Sequence, residues 1–305
     1  MDVVTGSFGY IGKYITRELL EKGHTVKTIT THPDKPNPFG GKVEAASYHF
    51  EKPEMLTRYL EGCETLYNTY WVRFNYRQWS FDKALENTKI LFHCAKNAGV
   101  RKIVHISVTN PSEKDDLPYY KGKALQEKEL RELGVGYTIV RPTLVFGKED
   151  ILVNNIAWTI RKFPIVPIFG SGKYKVQPVF VEDLAKLTVE ASRSEGSPTI
   201  DAIGPEAFTY EAFLQLIARE LNRKVAFVHT SPSLGIILGK LIGLFVEDVV
   251  LTKDELRGLI LNKLTSNQDP NGRTLFSDWL RNNKHSIGTR YTSELNRHFN
   301  WRGAA

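Results

Sequence analysis

Val3-Val4-Thr5-Gly6-Ser7-Phe8-Gly9-Tyr10-Ile11-Gly12 is the stretch on which the fold turns. A β-branched run leads into it, and an amphipathic run from Tyr10 to Lys22 leads out. The stretch therefore reads as strand, tight turn, helix. Each glycine has its own steric duty. Gly6 lets the chain leave the strand in a tight turn, Gly9 omits a Cβ so that an anion can approach the backbone, and Gly12 lets the helix lie close to the strand. The first N–H groups of a helix have no partner inside it and face whatever anion sits there. The pattern predicts a seat for the pyrophosphate of a dinucleotide, with a plain structural turn as the other use of the same glycines.

Outward from that stretch, strands and helices alternate. Gly23 ends the first helix, and His24 to Thr30 read as the second strand. Glu44 to Phe50, Glu64 to Tyr70, Arg101 to Val108 and Tyr137 to Val140 read as further strands. Helical spacing covers Pro53 to Leu60, Phe81 to Ala98 and Tyr119 to Leu133. This rhythm predicts an α/β fold: a doubly wound parallel sheet of the Rossmann type with a helical C-terminal portion. Right-handed crossovers gather the loops at 6–12, 31–35, 50–53, 70–80, 109–118 and 141–150 at one sheet edge, where such sheets bind ligands. Residues 1–147 are expected to form the nucleotide-binding core, with segments at about 174–204 returning to it. Residues 148–305 read as a mostly helical, substrate-side portion that is not an independent domain. Within it, Asp150 to Arg161, Glu182 to Ser192, Phe208 to Leu221 and Thr252 to Leu264 have helical spacing.

The 305 residues include 41 lysines and arginines against 34 acids, spread along the whole chain, so the net charge of +7 reads as solvated surface and not as a nucleic-acid footprint. Cys63 and Cys94 imply no disulfide framework and suit a reducing cytosol, hence a cytoplasmic protein. No secretory leader and no metal-ligand spacing is evident. Ser233 to Val246 is apolar, with Lys240 its one charge, but too short to span a bilayer. It is expected to be a buried helix or pocket wall; a lipid- or partner-facing patch, giving peripheral membrane contact, is the less favoured reading.

Tyr119 and Lys123 stand four apart on the helix after the fifth strand and share a face. A lysine ammonium and an oxidised nicotinamide ring both favour phenolate, so Tyr119 can exchange the proton that accompanies hydride transfer. Tyr48 and Lys52 have the same spacing, but on a strand end, where four residues reach too far apart. Ser107 and Thr109 close the fifth strand; one hydroxyl can bond a substrate oxygen, or both can satisfy turn backbone. In Arg141-Pro142-Thr143 the proline is expected to force a turn, and Arg141 reads as half of a structural ion pair. After the second strand come Thr31 and His32, with no acid to hold a ribose 2′-hydroxyl, so NADP is favoured and NAD stays open.

Thr5-Gly6, Gly9, Gly12, the Ser107 strand, Tyr119 with Lys123, and Arg141-Pro142-Thr143 together resemble the short-chain dehydrogenase/reductase superfamily. Pro178-Val-Phe-Val-Glu-Asp-Leu-Ala185 is similar to its extended, epimerase-like and atypical branches. Asn68 to Phe74, Asp150 to Trp158 and Gly288 to His298 resemble an atypical group of NAD(P)H-binding proteins related to the NADPH-holding accessory subunit of respiratory complex I. The resemblance implies cofactor contacts at Gly6, Phe8, Gly9, Tyr10, Ile11 and Gly12 for the pyrophosphate, Thr31 and His32 for the adenosine ribose, and Phe50 for adenine. It places Thr69, Tyr70, Lys123, Pro142 and Thr143 near the nicotinamide and its ribose. It makes Tyr119 the acid/base and Lys123 its partner, with Ser107 or Thr109 as the assisting hydroxyl. Two departures stand out: bulky Tyr70 and Trp71 end the fourth strand where small residues are usual, and Thr31-His32 replace an arginine pair.

Two functions follow from this reading. One is an NADP(H)-dependent oxidoreductase or epimerase for a carbonyl, secondary alcohol or sugar-like small molecule. Its substrate site would include Trp71, Arg73, Asn154, Asn155 and Trp158, with lobe core as the equal alternative for Trp158. The other is a cofactor-binding structural or redox-sensing protein without turnover. A monomer or homodimer suits either.

Overall fold

The computed structural model describes residues 1–299. In chain order the elements begin β1 (Asp2–Thr5), α1 (Ile11–Glu21), β2 (Val26–Thr30), β3 (Glu44–Ser47), α2 (Pro53–Leu60), β4 (Thr65–Asn68), α3 (Phe81–Asn97), β5 (Lys102–Ile106), α4 (Pro118–Glu132) and β6 (Gly136–Pro142). They continue with β7 (Leu144–Phe146), α5 (Ile151–Lys162), β8 (Ile165–Phe169), β9 (Lys175–Val176), β10 (Pro178–Phe180), α6 (Val181–Ala191), β11 (Thr199–Ala202), β12 (Phe208–Thr209) and α7 (Tyr210–Glu220). The last are β13 (Ala226–Thr230), α8 (Pro232–Val246), α9 (Lys253–Ile260), α10 (Phe276–Asn283) and α11 (Glu294–His298).

Two compact units result. The first comprises Met1–Pro142 and Val181–Ala202. Its sheet has seven parallel strands in the order β11-β6-β5-β4-β1-β2-β3. Fully buried runs such as Lys102–Ile106 explain the parallel arrangement, because helices cover such strands on both faces. Leu66, Leu91, Phe92 and Ile103 form part of one core layer, each at 0% exposure. The chain leaves β1 toward β2 and β3, then returns to β4 on the other side of β1, which makes the end of β1 the topological switch point.

The second unit comprises Thr143–Phe180 and Ile203–Ala305. Three two-stranded sheets, β10-β7, β12-β9 and β13-β8, flank a core that includes Phe146, Ile160, Phe213, Ile217, Phe276 and Leu280. The helix expected to begin at Phe208 starts at Tyr210 instead. Thr209 caps it by accepting from the Ala212 N–H, and Phe208 and Thr209 pair with β9. Pro142 does not turn the chain: it ends β6 in register with Ala202, and its carbonyl still accepts the Thr109 N–H at 3.2 Å.

The helix at 232–246 forms but is not buried, which overturns the expectation of a core helix or pocket wall. Gly235 and Gly243 are its only buried residues, whereas Leu244 and Phe245 are 78% and 81% exposed. A Cβ on Gly235 would lie 2.3 Å from the Phe169 ring, so the glycines are the packing face. Among the described residues no helix is long and apolar enough to cross a membrane.

Candidate functional site

The glycine turn is locked from several sides. The Gly6 N–H donates to the Ile29 carbonyl at 2.8 Å, and the Ser7 N–H donates to Thr28 Oγ1 at 3.0 Å. Thr16 Oγ1 donates to Ser7 Oγ at 2.7 Å. Just past the end of β4, the Thr69 N–H donates to Thr5 Oγ1 at 2.7 Å, and Thr69 Oγ1 donates to the Thr5 carbonyl at 2.6 Å. Gly6 has φ +69°, open to glycine and strained for other residues. A Cβ on Gly12 would stand 2.4 Å from the Gly6 carbonyl oxygen, so only glycine lets α1 start this close to β1. No acidic residue lies in the first turn of α1, leaving its N-terminal dipole for an external anion. Phe8, Tyr10 and Ile11 line the same turn, each partly exposed.

Beyond the ends of β2 and β3 lies a cavity of about 220 Å³, lined by Thr30, Thr31, Ser47, Tyr48, His49, Phe50, Glu51, Tyr70, Trp79 and Asn87. Its walls are aromatic: Tyr48 and Phe50 stack at 4.8 Å, and Tyr70 tilts against both at 4.9 and 5.3 Å. Thr31 and Phe50, expected at the adenosine end, are thus brought together. His32 is outside the cavity lining, its N–H 3.4 Å from Thr30 Oγ1. Tyr70, expected beside the nicotinamide ribose, lines this cavity instead. Its hydroxyl accepts from Asn87 Nδ2 at 2.9 Å, and burial pushes its pKa up. Sequence reading missed Asn87, whose position on α3 looks like ordinary helix interior.

At the ends of β4 and β5 the proposed reaction groups meet a second aromatic set. Lys123 is 3% exposed; its Nζ donates to the Ile106 carbonyl at 2.9 Å and lies 4.9 Å from the Trp71 ring centroid. Burial pushes the Lys123 pKa down to about 7, against an opposing pull from Glu127. Trp71 stacks on Phe81 at 5.8 Å and meets Tyr119 edge-on at 6.2 Å. Its ring fills the space that a Cβ on Gly122 would need, at 2.7 Å, so Gly122 seats it in mid-helix. Tyr119 itself is half-buried, also edge-on to Phe81 at 6.1 Å. Arg73 lies 5.6 Å from the Phe74 ring.

Ser107 is committed elsewhere: its hydroxyl donates to Glu127 Oε1 at 2.6 Å. That carboxylate also takes Arg141 in a two-point pair and Arg131 at 2.9 Å. Burial alone would raise the Glu127 pKa, but hydrogen bonds from Arg141 and Ser107 outweigh it and hold the group below the usual range. Arg141 is thus half of an ion pair, as its sequence context suggested. Glu127 was hidden because its run, Gln126-Glu-Lys-Glu-Leu-Arg-Glu132, looks like a solvated face. Thr109 is fully buried at the end of this group.

Asn154 and Asn155 hold the second unit's own chain. Asn154 Nδ2 donates to the Arg290 carbonyl and Thr292 Oγ1, its Oδ1 accepts the Gly288 N–H, and Asn155 Oδ1 accepts the Thr292 N–H. Trp158, 7% exposed, packs edge-on against Tyr291 at 5.2 Å. Two of the sequence segments that carry the family likeness are therefore one packed joint, and Trp158 is core there. Thr143 begins this unit and is buried. Among the described residues no cluster of three His, Cys, Asp or Glu could hold a metal ion.

A family model described as NAD(P)H-binding matches residues 6–153. Subunit 9 of the NADH dehydrogenase [ubiquinone] 1 alpha subcomplex of Dictyostelium discoideum is 24% identical over 225 residues, covering 70% of this chain and 62% of that relative. The chain therefore spans less than two thirds of that relative's length. In fold, the NADP(H) complex of Citrobacter sp. triphenylmethane reductase aligns with a TM-score of 0.75 at 16% identity, covering 92% of this chain and 99% of that one. An NADPH-dependent quinone oxidoreductase of Escherichia coli aligns with a TM-score of 0.72 at 18% identity, covering 93% and 99%. An NAD(P)H-binding segment within residues 6–153 and a fold shared with these two reductases over more than nine tenths of the chain are what the matches give. The glycine cradle that a Cβ would fill, and the aromatic cavity beyond β2, fit such a cofactor.

Proposed function

We propose that this chain is an NADP(H)-dependent oxidoreductase for a small carbonyl or secondary-alcohol substrate, with Tyr119 as the acid/base. The observation that carries the reading is the buried Lys123 one turn along α4 from Tyr119, at the sheet edge that holds the glycine cradle. When bound, the reduced nicotinamide supplies a hydride. Tyr119 gives the proton to the substrate oxygen, and Lys123 in its protonated form lowers the cost of the phenolate left behind. Lys123 is itself anchored by the Ile106 carbonyl. The surrounding Trp71 and Phe81 rings favour a flat, apolar acceptor over a sugar. Structural neighbours described as a triphenylmethane reductase and a quinone oxidoreductase support that choice. Thr31 and His32 at the end of β2, with no acid there, favour NADP over NAD.

A second reading, binding without turnover, has its own support. The Trp71 ring covers Lys123, and Ser107 is bound by Glu127. The relative described as a respiratory-complex subunit agrees with it. One experiment separates the two. NADPH is titrated by its fluorescence, then its consumption is followed with a panel of quinones and aldehydes, for wild type and Tyr119→Phe. The oxidoreductase reading expects binding unchanged and turnover reduced about 100-fold or more by the substitution. Tight NADPH binding with no acceptor consuming it supports the second reading.

A further inference from the structure

We propose that Asn87 reads the base of the dinucleotide, its Oδ1 accepting a hydrogen bond from the exocyclic 6-amino group of adenine. The proposal rests on dinucleotide binding at the glycine cradle and adds the residue that selects the base.

Asn87 sits in the interior of α3, 5% exposed, and lines the cavity beyond β2 and β3. Asparagine is a poor choice for a buried helix interior unless its amide is used. One end is used: Nδ2 donates to the Tyr70 hydroxyl at 2.9 Å. The other, Oδ1, is buried with no partner. The cavity around it is walled by Tyr48, Phe50 and Tyr70, a surface on which a planar ring stacks. Its volume of about 220 Å³ is below the roughly 300 Å³ at which pockets for whole drug-sized ligands begin, so it holds one end of a larger molecule.

Hydrogen-bond polarity then selects the base. With Nδ2 committed to Tyr70, only a donor can satisfy Oδ1. The 6-amino group of adenine is such a donor. A 6-oxo group in its place sets acceptor against acceptor, and the buried oxygen keeps its desolvation cost.

The test compares NADPH with its hypoxanthine analogue, in which a 6-oxo acceptor and an N1–H donor replace the 6-amino donor and the N1 acceptor. Nicotinamide fluorescence reads both affinities in wild type, Asn87→Leu and Tyr70→Phe, with the melting temperature as a check on folding. Wild type is expected to bind NADPH about 10- to 100-fold more tightly. Asn87→Leu is expected to bring the two within about threefold by weakening NADPH alone. Tyr70→Phe frees the amide to turn and is expected to shrink the preference as well. Equal binding of the two dinucleotides by wild type overturns the assignment while leaving the cofactor reading intact, and so does a full preference kept by Asn87→Leu. Binding of neither overturns both.

Discussion

Lys123 is a lysine almost without water, and that fixes a pH dependence. Its pKa falls from 10.5 to about 7 on folding because burial penalises the ammonium. Between those values the unfolded chain binds more protons than the folded one, so this group makes stability rise with pH, by up to about 1.4 kcal/mol per pH unit. Below about pH 7 both states are charged and the full penalty stands. Lys123→Met removes the dependence. Denaturant unfolding at pH 7 and pH 9 is therefore expected to show the variant's stability, relative to wild type, declining as pH rises; a constant difference would count against it. Glu127 is the opposite case, a buried carboxylate held by Arg141, Arg131 and Ser107. Glu127→Gln leaves a partly buried guanidinium without its counter-charge. It is expected to cost about 2 to 4 kcal/mol in denaturant unfolding, discounted because Arg131 is well exposed. Tyr119 and Lys123 were legible in the sequence because helix spacing is local. Glu127 and Asn87 were not, because their partners, Ser107 and Arg141 for one and Tyr70 for the other, come from separate strands or strand ends.

At the scale of elements, periodicity gave the sheet helices nearly to the residue, as at Pro53–Leu60. It failed where short strands pair across the second unit, since β9 and β12 have two residues each and carry no period. It also failed to say which face of α8 is buried. Hydrophobicity points to Leu, Ile and Phe, yet Gly235 and Gly243 make the contact. The two faces should respond in reverse of the usual order. Gly235→Ala drives a Cβ into the Phe169 ring and is expected to cost about 1 to 3 kcal/mol. Leu244→Lys, on a side chain 78% exposed, is expected to change stability by less than about 0.5 kcal/mol. Thermal unfolding of the two variants checks this; equal losses would mean that Leu244 is covered.

For the whole molecule, alternation of strand and helix was enough to give the doubly wound class, because each crossover has one hand. Strand order was not legible. It depends on β4 returning beside β1, and nothing local in Thr65–Asn68 records that choice. That return nonetheless ties the cradle to the sheet, since Thr69 donates twice to Thr5. A ligand seated on the glycine turn should therefore stabilise the sheet and not only the loop. At NADPH a hundredfold above its dissociation constant, the added stability is about 2.7 kcal/mol. Amides of β1, β4 and β5 that exchange only on global opening should then slow by roughly 100-fold. Hydrogen exchange with and without NADPH reads this directly. Slowing confined to residues 6–12 would show a turn that closes on its ligand without the sheet, and the Thr5–Thr69 tie would not be the coupling it is taken for.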